Sequence, residues 1–382
     1  MHLLIPFAHC SSEGCDLALP TLKLPQLQKL LSRLVPEPAE PSEPFSLSAP
    51  HERALARALA LPLTDGMIPW AALQARPSLS PNGAWGFITP CHWKIGSQNV
   101  VMSGAALMDF SDQDSMALLS AMQPYFAEDG IRLHYQQATR WLAQSDLFDG
   151  LATASLDRAA GHDVSSWLPT DARAAKLRRL QSEMQMLLHN HPVNESRSER
   201  GLSVVNSFWL SGTGALPSAL NPDAGAAPVV AASLRESALN EDWSAWTRAW
   251  EQIDTTECAA LLKALQRGEA VELTLCGERA TQTFVSDLSL RRTCFGQPKL
   301  PTGHEPGFVN ASEARQSMQC EVMDRHGLRP RDDDRSWIAM SRSAAWLTAR
   351  ACGLAMTGTL NFKRSLVNLF KSPSVARFLE TL

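Results

Sequence analysis

Residues 180–214 read LQSEMQMLLHNHPVNESRSERGLSVVNSFWLSGTG, and in this stretch a helical pattern, a polar loop and a strand-like run follow one another. Its first leucines and methionines recur at intervals of three and four, which gathers them on one side of a helix. The His191-Pro192 step is a natural end for that helix. VVNSFWL at 204–210 has the composition of a buried strand. The order is typical of a site loop held on a rigid support.

Strand-like and helical segments alternate on both sides of this stretch. HLLIPF at 2–7 is a continuous apolar run, typical of a central strand covered on both faces. PVVAA at 228–232 and AVELTLC at 270–276 are further strand candidates, separated by helical stretches near 240–252 and 256–266. The pattern predicts an α/β fold with a mixed, partly parallel sheet flanked by helices.

Changes in composition divide the chain into three parts. Residues 1–295 are expected to form the main α/β domain. Within it, VPEPAEPSEP at 35–44 contains four prolines and three glutamates, which predicts an extended surface connector without regular structure. Residues 296–336, rich in Pro, Gly and charge, are expected to form an exposed polar excursion, and residues 337–382 a basic helical C-terminal segment.

The charge and cysteine content restrict the classes of function. The net charge of −4 predicts no general attraction to nucleic acid, although residues 325–382 carry ten basic against four acidic side chains. The eight cysteines include no CxxC pair, so their spacing indicates neither a disulfide framework nor a zinc module.

Two apolar segments could be mistaken for targeting or membrane signals. The N-terminal run lacks a basic region before it and is better interpreted as a first strand than as a signal peptide. The late segment 337–358 is interrupted by Arg342 and Arg350, and each of these is costly inside a bilayer. We therefore expect a cytoplasmic protein with no transmembrane segment.

The polar loop and the glycines after the strand are the best candidate for a binding site. Arginine offers a planar fork of donors, and glycine lets a ligand approach backbone N–H groups, so the region suits a phosphate or a carboxylate. The alternative is that the same groups satisfy the helix end and face solvent. The candidate residues are His189, His191, Asn194, Arg197, Arg200, Asn206, Ser211, Gly212 and Gly214.

The same loop carries a family resemblance. HPVN followed by Arg, Gly, Asn and Trp-x-x-Gly-x-Gly resembles the archaeal-type cofactor-independent phosphoglycerate mutases of the alkaline phosphatase superfamily. Four further segments extend the resemblance over nearly the whole chain, to the RpfE-type bacterial regulatory proteins, a mutase-related family. They are ITPCHWKIGSQNVVM at 88–102, MQPYFAEDGIRLHY at 122–135, SLDRAAGH at 155–162 and LTLCGERATQ at 273–282.

The resemblance implies a core like that of the mutases, but the metal ligands differ. In the superfamily a Ser or Thr nucleophile acts beside two divalent ions, with one metal-binding Asp after the first strand and a Thr-Gly-Asp-His ligand pair after a later one. Here Ala8, His9 and Cys10 follow the first strand, and Gly277 and Glu278 follow LTLC. Without such ions a phosphoryl transfer would lose its main stabilisation. We therefore expect no metal and no other cofactor.

Three hypotheses about function remain open. The first is a regulatory or ligand-sensing protein, related to the mutases but non-catalytic, that binds a small phosphorylated or carboxylated metabolite. The second is a divergent metal-dependent phosphoglycerate mutase, an isomerase, or a phosphatase. The third is an interaction scaffold that forms a homodimer or binds a protein partner through Trp243, Trp246 and Trp250 or through the basic C-terminal helix, although core packing is the default for such tryptophans.

One further cluster, Cys91 with His92 and Lys94, could lower the pKa of a thiol if the cations lay beside the sulfur. Adjacent residues of a strand point to opposite faces. A packed hairpin with a buried Trp93 is therefore the preferred interpretation.

Overall fold

The regular elements alternate along the chain and build a mixed α/β fold, as the sequence pattern predicts. The computed structural model describes residues 1–76, 79, 83–97, 99–103, 110–217, 226–286 and 375–382. The strands in this part are β1 (His2–Ile5), β2 (Val35–Pro36), β3 (Glu40–Pro41), β4 (Trp85–Cys91), β5 (Trp93–Ile95), β6 (Val100–Met102), β7 (Arg132–Gln137), β8 (Arg140–Gln144), β9 (Ser207–Gly214), β10 (Val229–Val230), β11 (Glu272–Cys276) and β12 (Ala280–Val285). The helices are α1 (Glu13–Ala18), α2 (Pro25–Leu31), α3 (Pro50–Ala58), α4 (Trp70–Ala75), α5 (Asp112–Glu128), α6 (Leu156–Ala159), α7 (Ala175–His189), α8 (Pro192–Glu199), α9 (Ser233–Leu239), α10 (Trp243–Ile253), α11 (Ala259–Gln266) and α12 (Val375–Leu379).

The first sheet is mixed, and the N-terminal strand is one of its interior strands. Its strands lie in the order β10, β1, β11, β12, β2, and β3 also pairs with β12. β1 is parallel to both β10 and β11, whereas β11 and β12 are antiparallel. Leu3, Leu4 and Ile5 are completely buried, which agrees with the continuous apolar run of this strand. The prediction of a partly parallel sheet is confirmed.

The proline-rich segment 35–44 corrects the prediction that it has no regular structure. Val35–Pro36 and Glu40–Pro41 pair with β12 at the edge of the first sheet. The amide of Glu37 donates to the carbonyl oxygen of Thr283 at 2.9 Å, and that of Ser42 to Arg279 at 2.7 Å. Proline is compatible with an edge strand because its missing N–H can face away from the neighbour. The residues between the prolines therefore supply the hydrogen bonds.

The second sheet is antiparallel, in the order β7, β8, β4, β9. One of its faces is covered by α5 and α7, and the buried layer between them includes Phe126, Trp141, Met184 and Phe208. The rings of Phe126 and Phe208 meet edge to face at 5.0 Å. This layer fixes the position of β9, whose far end reaches the larger of the two cavities described below.

Strands β5 and β6 form the hairpin that the sequence predicts around Trp93. Cys91 is completely buried at the end of β4, and burial raises the pKa of its thiol. The Nδ1 atom of His92 lies 2.8 Å from the carbonyl oxygen of Val204. Trp93 is 8% exposed. The buried Cys91 and Trp93 and the contact of His92 with the main chain are typical of a packed hairpin.

Helix α10 turns its tryptophans toward the protein interior. Trp246 and Trp250 are completely buried, and the indole N–H of Trp246 donates to the carbonyl oxygen of Phe7 at 3.0 Å. Trp243 is half-buried and meets Trp246 edge to face. Two of the three tryptophans therefore contribute to the core, and a role in binding a partner stays a prediction.

The C-terminal part of the chain is described only at its end, where Phe378 packs against Phe284 at 5.4 Å. The predicted excursion 296–336 and residues 337–374 of the basic segment lie outside the described residues, so the predicted division of the chain stays a prediction. Where the chain is described, no helix has both the length and the apolar character needed to cross a bilayer.

Candidate functional site

The predicted polar loop after α7 is largely a helix. Residues Pro192–Glu199 form α8, and His191 caps it, its Nδ1 accepting from the amide of Val193 at 3.2 Å. Proline at the first position of a helix loses no hydrogen bond, because the first N–H groups of a helix have no partner within it. The His-Pro step therefore ends one helix and begins the next, and the predicted loop is corrected accordingly.

Asn194 and Arg197, two of the predicted ligand-binding residues, are buried against the main chain. Asn194 is 3% exposed; its Nδ2 donates to the carbonyl oxygens of Leu188 and Val205, each at 2.7 Å, and its Oδ1 accepts from the amide of Val205. Arg197 is completely buried, and its Nε donates to the carbonyl oxygen of Ser203 at 2.8 Å. These bonds join α7, α8 and the segment that leads into β9.

The remaining polar groups of this region lie on the surface or bond to the hairpin. Arg200 is exposed and forms an ion pair with Asp114 at 3.7 Å. His189 ends α7 on the surface. Asn206 bonds to the amide and carbonyl groups of Trp93, at 2.7 and 2.9 Å.

Ser211 and Gly212, at the other end of β9, line a cavity of about 790 Å³. The pairing of β9 with β4 shifts by one residue here, and Gly212 has φ +62°. A Cβ atom at Gly212 would lie 2.9 Å from Cδ2 of Phe87, so the position has room only for glycine. Such bulges leave one residue outside the ladder and are common beside functional sites. Gly214 ends the strand and faces Pro69 instead.

Two arginines that the sequence did not single out line this same cavity. Arg140 comes from β8; its Nε donates to Oε1 of Gln136 at 3.1 Å, and its Cζ lies 4.5 Å from the centre of the Phe87 ring. Arg235 comes from α9. Burial and the neighbouring charge of Arg235 lower the pKa of Arg140. The cavity therefore has a positive side next to the β9 bulge.

A buried carboxylate holds Arg235 and a histidine in place. Asp157 on α6 accepts from Nε of Arg235 at 2.9 Å with both oxygens, from Nη2 of the same residue, and from Nε2 of His51 at 3.2 Å. Burial alone would raise the pKa of Asp157, but the hydrogen bonds and charges of His51 and Arg235 bring it below its ordinary value. Asp157 is therefore an anion at neutral pH, and it orients both partners.

Glu52 is the second carboxylate of the larger cavity. Its Oε2 accepts from the amide of Ala49 at 3.0 Å, which caps the start of α3. Burial, with the negative charge of Asp157 nearby, raises the pKa of Glu52. By contrast, neither Arg140 nor Arg158, which follows Asp157, forms a salt bridge with any described residue.

A smaller cavity, of about 240 Å³, lies where β1 and β11 end. Because these strands are parallel, their carboxyl ends lie at one edge of the sheet, where ligands of α/β proteins commonly bind. Cys10, Gly277 and Glu278, which stand where the resemblance implies metal ligands or their neighbours, come together there. In the described ranges, no three His, Cys, Asp or Glu residues are grouped closely enough to hold a metal ion.

Comparison with known proteins finds a distant likeness of fold. No protein-family model matches the chain, and no curated protein matches it. The chain is similar to the structure of a cofactor-independent phosphoglycerate mutase from Thermoplasma acidophilum DSM 1728, with 15% identity and a TM-score of 0.32, over 75% of this chain and 90% of that one. It is also similar to the structure of the PH0037 protein from Pyrococcus horikoshii, with 13% identity and a TM-score of 0.38, over 75% and 87% of the two chains. Likeness at this level supports no transfer of residue roles, and the RpfE-type resemblance stays a prediction.

The residues that build the two cavities were mostly missed because they come from distant parts of the chain. Asp157 and Arg158 are adjacent in the sequence, but they bond to different and distant partners: Asp157 to Arg235 and His51, and Arg158 to Ser42. Two segments that carry the family resemblance, SLDRAAGH and LTLCGERATQ, contain residues that line the smaller cavity.

Proposed function

We propose that this chain is a phosphoglycerate-mutase-like regulatory or ligand-sensing protein that binds a small phosphorylated or carboxylated metabolite in the larger cavity. The observation that carries the proposal is that Arg140 and Arg235 line one cavity together with the Ser211–Gly212 bulge. A guanidinium group offers parallel donors to a phosphate or a carboxylate, and glycine lets the ligand reach the backbone. Ser211 and Gly212 thus keep the anion-binding role predicted for them, and Arg140 and Arg235 take the place of Arg197 and Arg200.

The charges of the cavity favour Arg140 as the main anion contact. Arg235 already faces the carboxylate of Asp157, which neutralises most of its charge. Arg140 has no such partner among the described residues, and the neutral side chains of Gln137 and Thr139 lie beside it in the lining. A partly buried cation without a counter-ion is stabilised when an anionic ligand supplies one.

The size of the cavity agrees with a small-molecule site. A volume of about 790 Å³ is within the usual range of ligand pockets, roughly 300–1,000 Å³. Aromatic walls from Trp70 and Phe87 and polar groups from Thr89 and Gln74 are the mixture that such pockets use for affinity and orientation. A phosphoglycerate-sized ligand would leave room for bridging water.

Calorimetric titration with 3-phosphoglycerate tests the proposal. Wild-type protein should bind it, and Arg140→Met, which keeps the aliphatic stem but removes the charge, should bind it about 10- to 100-fold more weakly, because a hydrogen bond to a charged group contributes roughly 1.5–3 kcal/mol. Arg200→Met removes an equal charge from the exposed pair with Asp114 and serves as the matched control. Its affinity should equal that of wild type.

The titration also separates the other hypotheses. No heat from wild type, or equal affinity in wild type and Arg140→Met, would remove the proposal. If Arg200→Met lost binding and Arg140→Met did not, the binding site would lie in the region of helix α8 instead. Conversion of the added 3-phosphoglycerate to 2-phosphoglycerate or free phosphate would instead favour the divergent mutase or phosphatase.

A further inference from the structure

A buried arginine in the smaller cavity has donor capacity that the described residues do not use. Arg158 is only 8% exposed and lines this cavity. Its Nη2 donates to the hydroxyl of Ser42 at 2.9 Å, but its Nε has no hydrogen-bond partner among the described residues. Burying a guanidinium without a counter-ion is costly, so folded proteins usually complete such a group with an acceptor.

The charges around Arg158 favour a single negative charge on that acceptor. Glu278 lines the same cavity, and its Oε2 is held by the amide of Ser11 at 2.7 Å. Asp157 is also in the lining but is occupied by Arg235 and His51. Glu241 is a third carboxylate of the lining. A phosphate dianion would therefore face three carboxylates here, whereas a carboxylate ligand, with a single charge, would meet less repulsion. The smaller cavity should therefore prefer an anion with a single charge, whereas the larger one suits a phosphate as well as a carboxylate.

Aromatic and aliphatic side chains form part of the remaining wall of the smaller cavity, beside polar ones such as Ser11, Ser12 and His162. Phe7, Trp167 and Trp243 contribute rings, and Leu239 and Pro50 contribute aliphatic surface. The volume of 240 Å³ corresponds to about eight water molecules, which is the scale of a single substituted ring. Flat aromatic walls suit an aromatic body through offset or edge-to-face contact.

The ring of Trp243 is fixed in this position by the backbone of α1. A Cβ atom at Gly14 would lie 2.2 Å from Nε1 of Trp243, so the indole rests directly on the glycine. Trp246 also contacts the Trp243 ring, edge to face, with 6.0 Å between the ring centres. The aromatic wall is thus preorganised, which lowers the entropy cost of binding a ligand against it.

We propose that the smaller cavity is a second binding site, which takes an aromatic carboxylate with its carboxyl group on Arg158 and its ring between Trp167 and Trp243. This site is independent of the metabolite site beside Arg140. The two cavities share only His51 and Asp157 in their linings. The ligand class follows from one guanidinium donor unpaired among the described residues, from lining carboxylates that disfavour a second negative charge on the ligand, and from aromatic rings in the wall.

Titration with benzoate, and with benzamide as its neutral isostere, tests the second site. Wild type should bind benzoate clearly more tightly than benzamide. Arg158→Met should weaken benzoate about 10- to 100-fold, as expected for loss of a charge-assisted hydrogen bond. Arg140→Met should leave benzoate affinity unchanged, because Arg140 lines only the larger cavity.

A second variant keeps the test valid if Arg158→Met does not fold. Glu278→Gln retains an acceptor for the amide of Ser11 but removes its competing charge, so benzoate should bind about 1.5- to 5-fold more tightly. Unchanged benzoate affinity in Glu278→Gln, equal affinity of wild type for benzoate and benzamide, or no benzoate binding would overturn the proposal. So would loss of benzoate binding in Arg140→Met, which would place the ligand in the larger cavity.

Discussion

Arg140 and Arg197 are guanidinium groups in contrasting surroundings. Arg197 is completely buried, donates to the carbonyl oxygen of Ser203 and lies 5.0 Å from the centre of the Phe110 ring. Arg140 lines a large open cavity and has no salt bridge with a described residue. The first arrangement stabilises the connection between α8 and β9. The second leaves a positive charge accessible to a ligand.

Replacing Arg197 is therefore expected to affect stability before it affects binding. Arg197→Ala removes a buried hydrogen bond and leaves a void, which should lower the free energy of unfolding by about 2–4 kcal/mol. Arg200→Ala, three residues further on, removes only an exposed ion pair and should cost about 0–1 kcal/mol. Urea unfolding followed by tryptophan fluorescence measures both. Equal, small losses would show that Arg197 has no such structural role.

At the scale of elements, a single carboxylate joins three short helices that the chain order keeps apart. Asp157 belongs to α6, His51 to α3 and Arg235 to α9, and the three side chains meet between the two cavities. Helices of this length are not stable alone, so tertiary contacts must hold them. This contact fixes both the Arg235 side of the larger cavity and the wall that separates it from the smaller one.

Removal of this charge should produce a pH-dependent loss of stability. The pKa of Asp157 is lowered in the folded protein, so its stabilising contribution is complete above its unfolded value of about 3.9 and is lost as the pH falls through the lower folded value. Asp157→Asn should cost about 2–4 kcal/mol near pH 7, with a smaller cost below pH 4. Urea unfolding of both proteins between pH 3 and 7 gives the comparison.

A matched control distinguishes this buried contact from ordinary surface pairing. Asp171 forms an exposed ion pair with Arg173, which solvent screens strongly. Asp171→Asn should therefore lose clearly less stability at pH 7 than Asp157→Asn. A difference between wild type and Asp157→Asn that stays constant from pH 7 to pH 3 would contradict the assignment of a lowered pKa.

Across the whole molecule, local sequence patterns predicted the helices and strands better than they predicted which residues of different elements come into contact. Spacing and composition predicted a strand in the apolar run at residues 2–7 and a helix before His191, because burial of one face imposes a period on the sequence. They also predicted a strand at 204–210, which in the structure is β9, three residues later in its start and four in its end. The edge strands at 35–44 were missed because a high proline content argues against β-strand pairing in general. At the edge of a sheet, however, proline is compatible with pairing.

The candidate site was harder to predict because its groups converge from distant positions. Ser211 and Gly212 were predicted as ligand-binding residues from their glycine-rich segment, and they line the larger cavity. Arg140 and Arg235 lie in unremarkable local sequences, and only the packing of β8 and α9 brings them to the same cavity. Single-sequence patterns carry no information about such long-range pairs.

We propose that an anion binds at the β9 bulge and not in the region of helix α8. Soaking crystals with tungstate, a heavy analogue of phosphate, and measuring the anomalous difference density would test it most directly. We expect a peak in the larger cavity beside Arg140 and the Ser211–Gly212 backbone, and we expect that peak to be absent from Arg140→Met crystals. A peak beside Arg197 and Arg200, with none in the larger cavity, would contradict it.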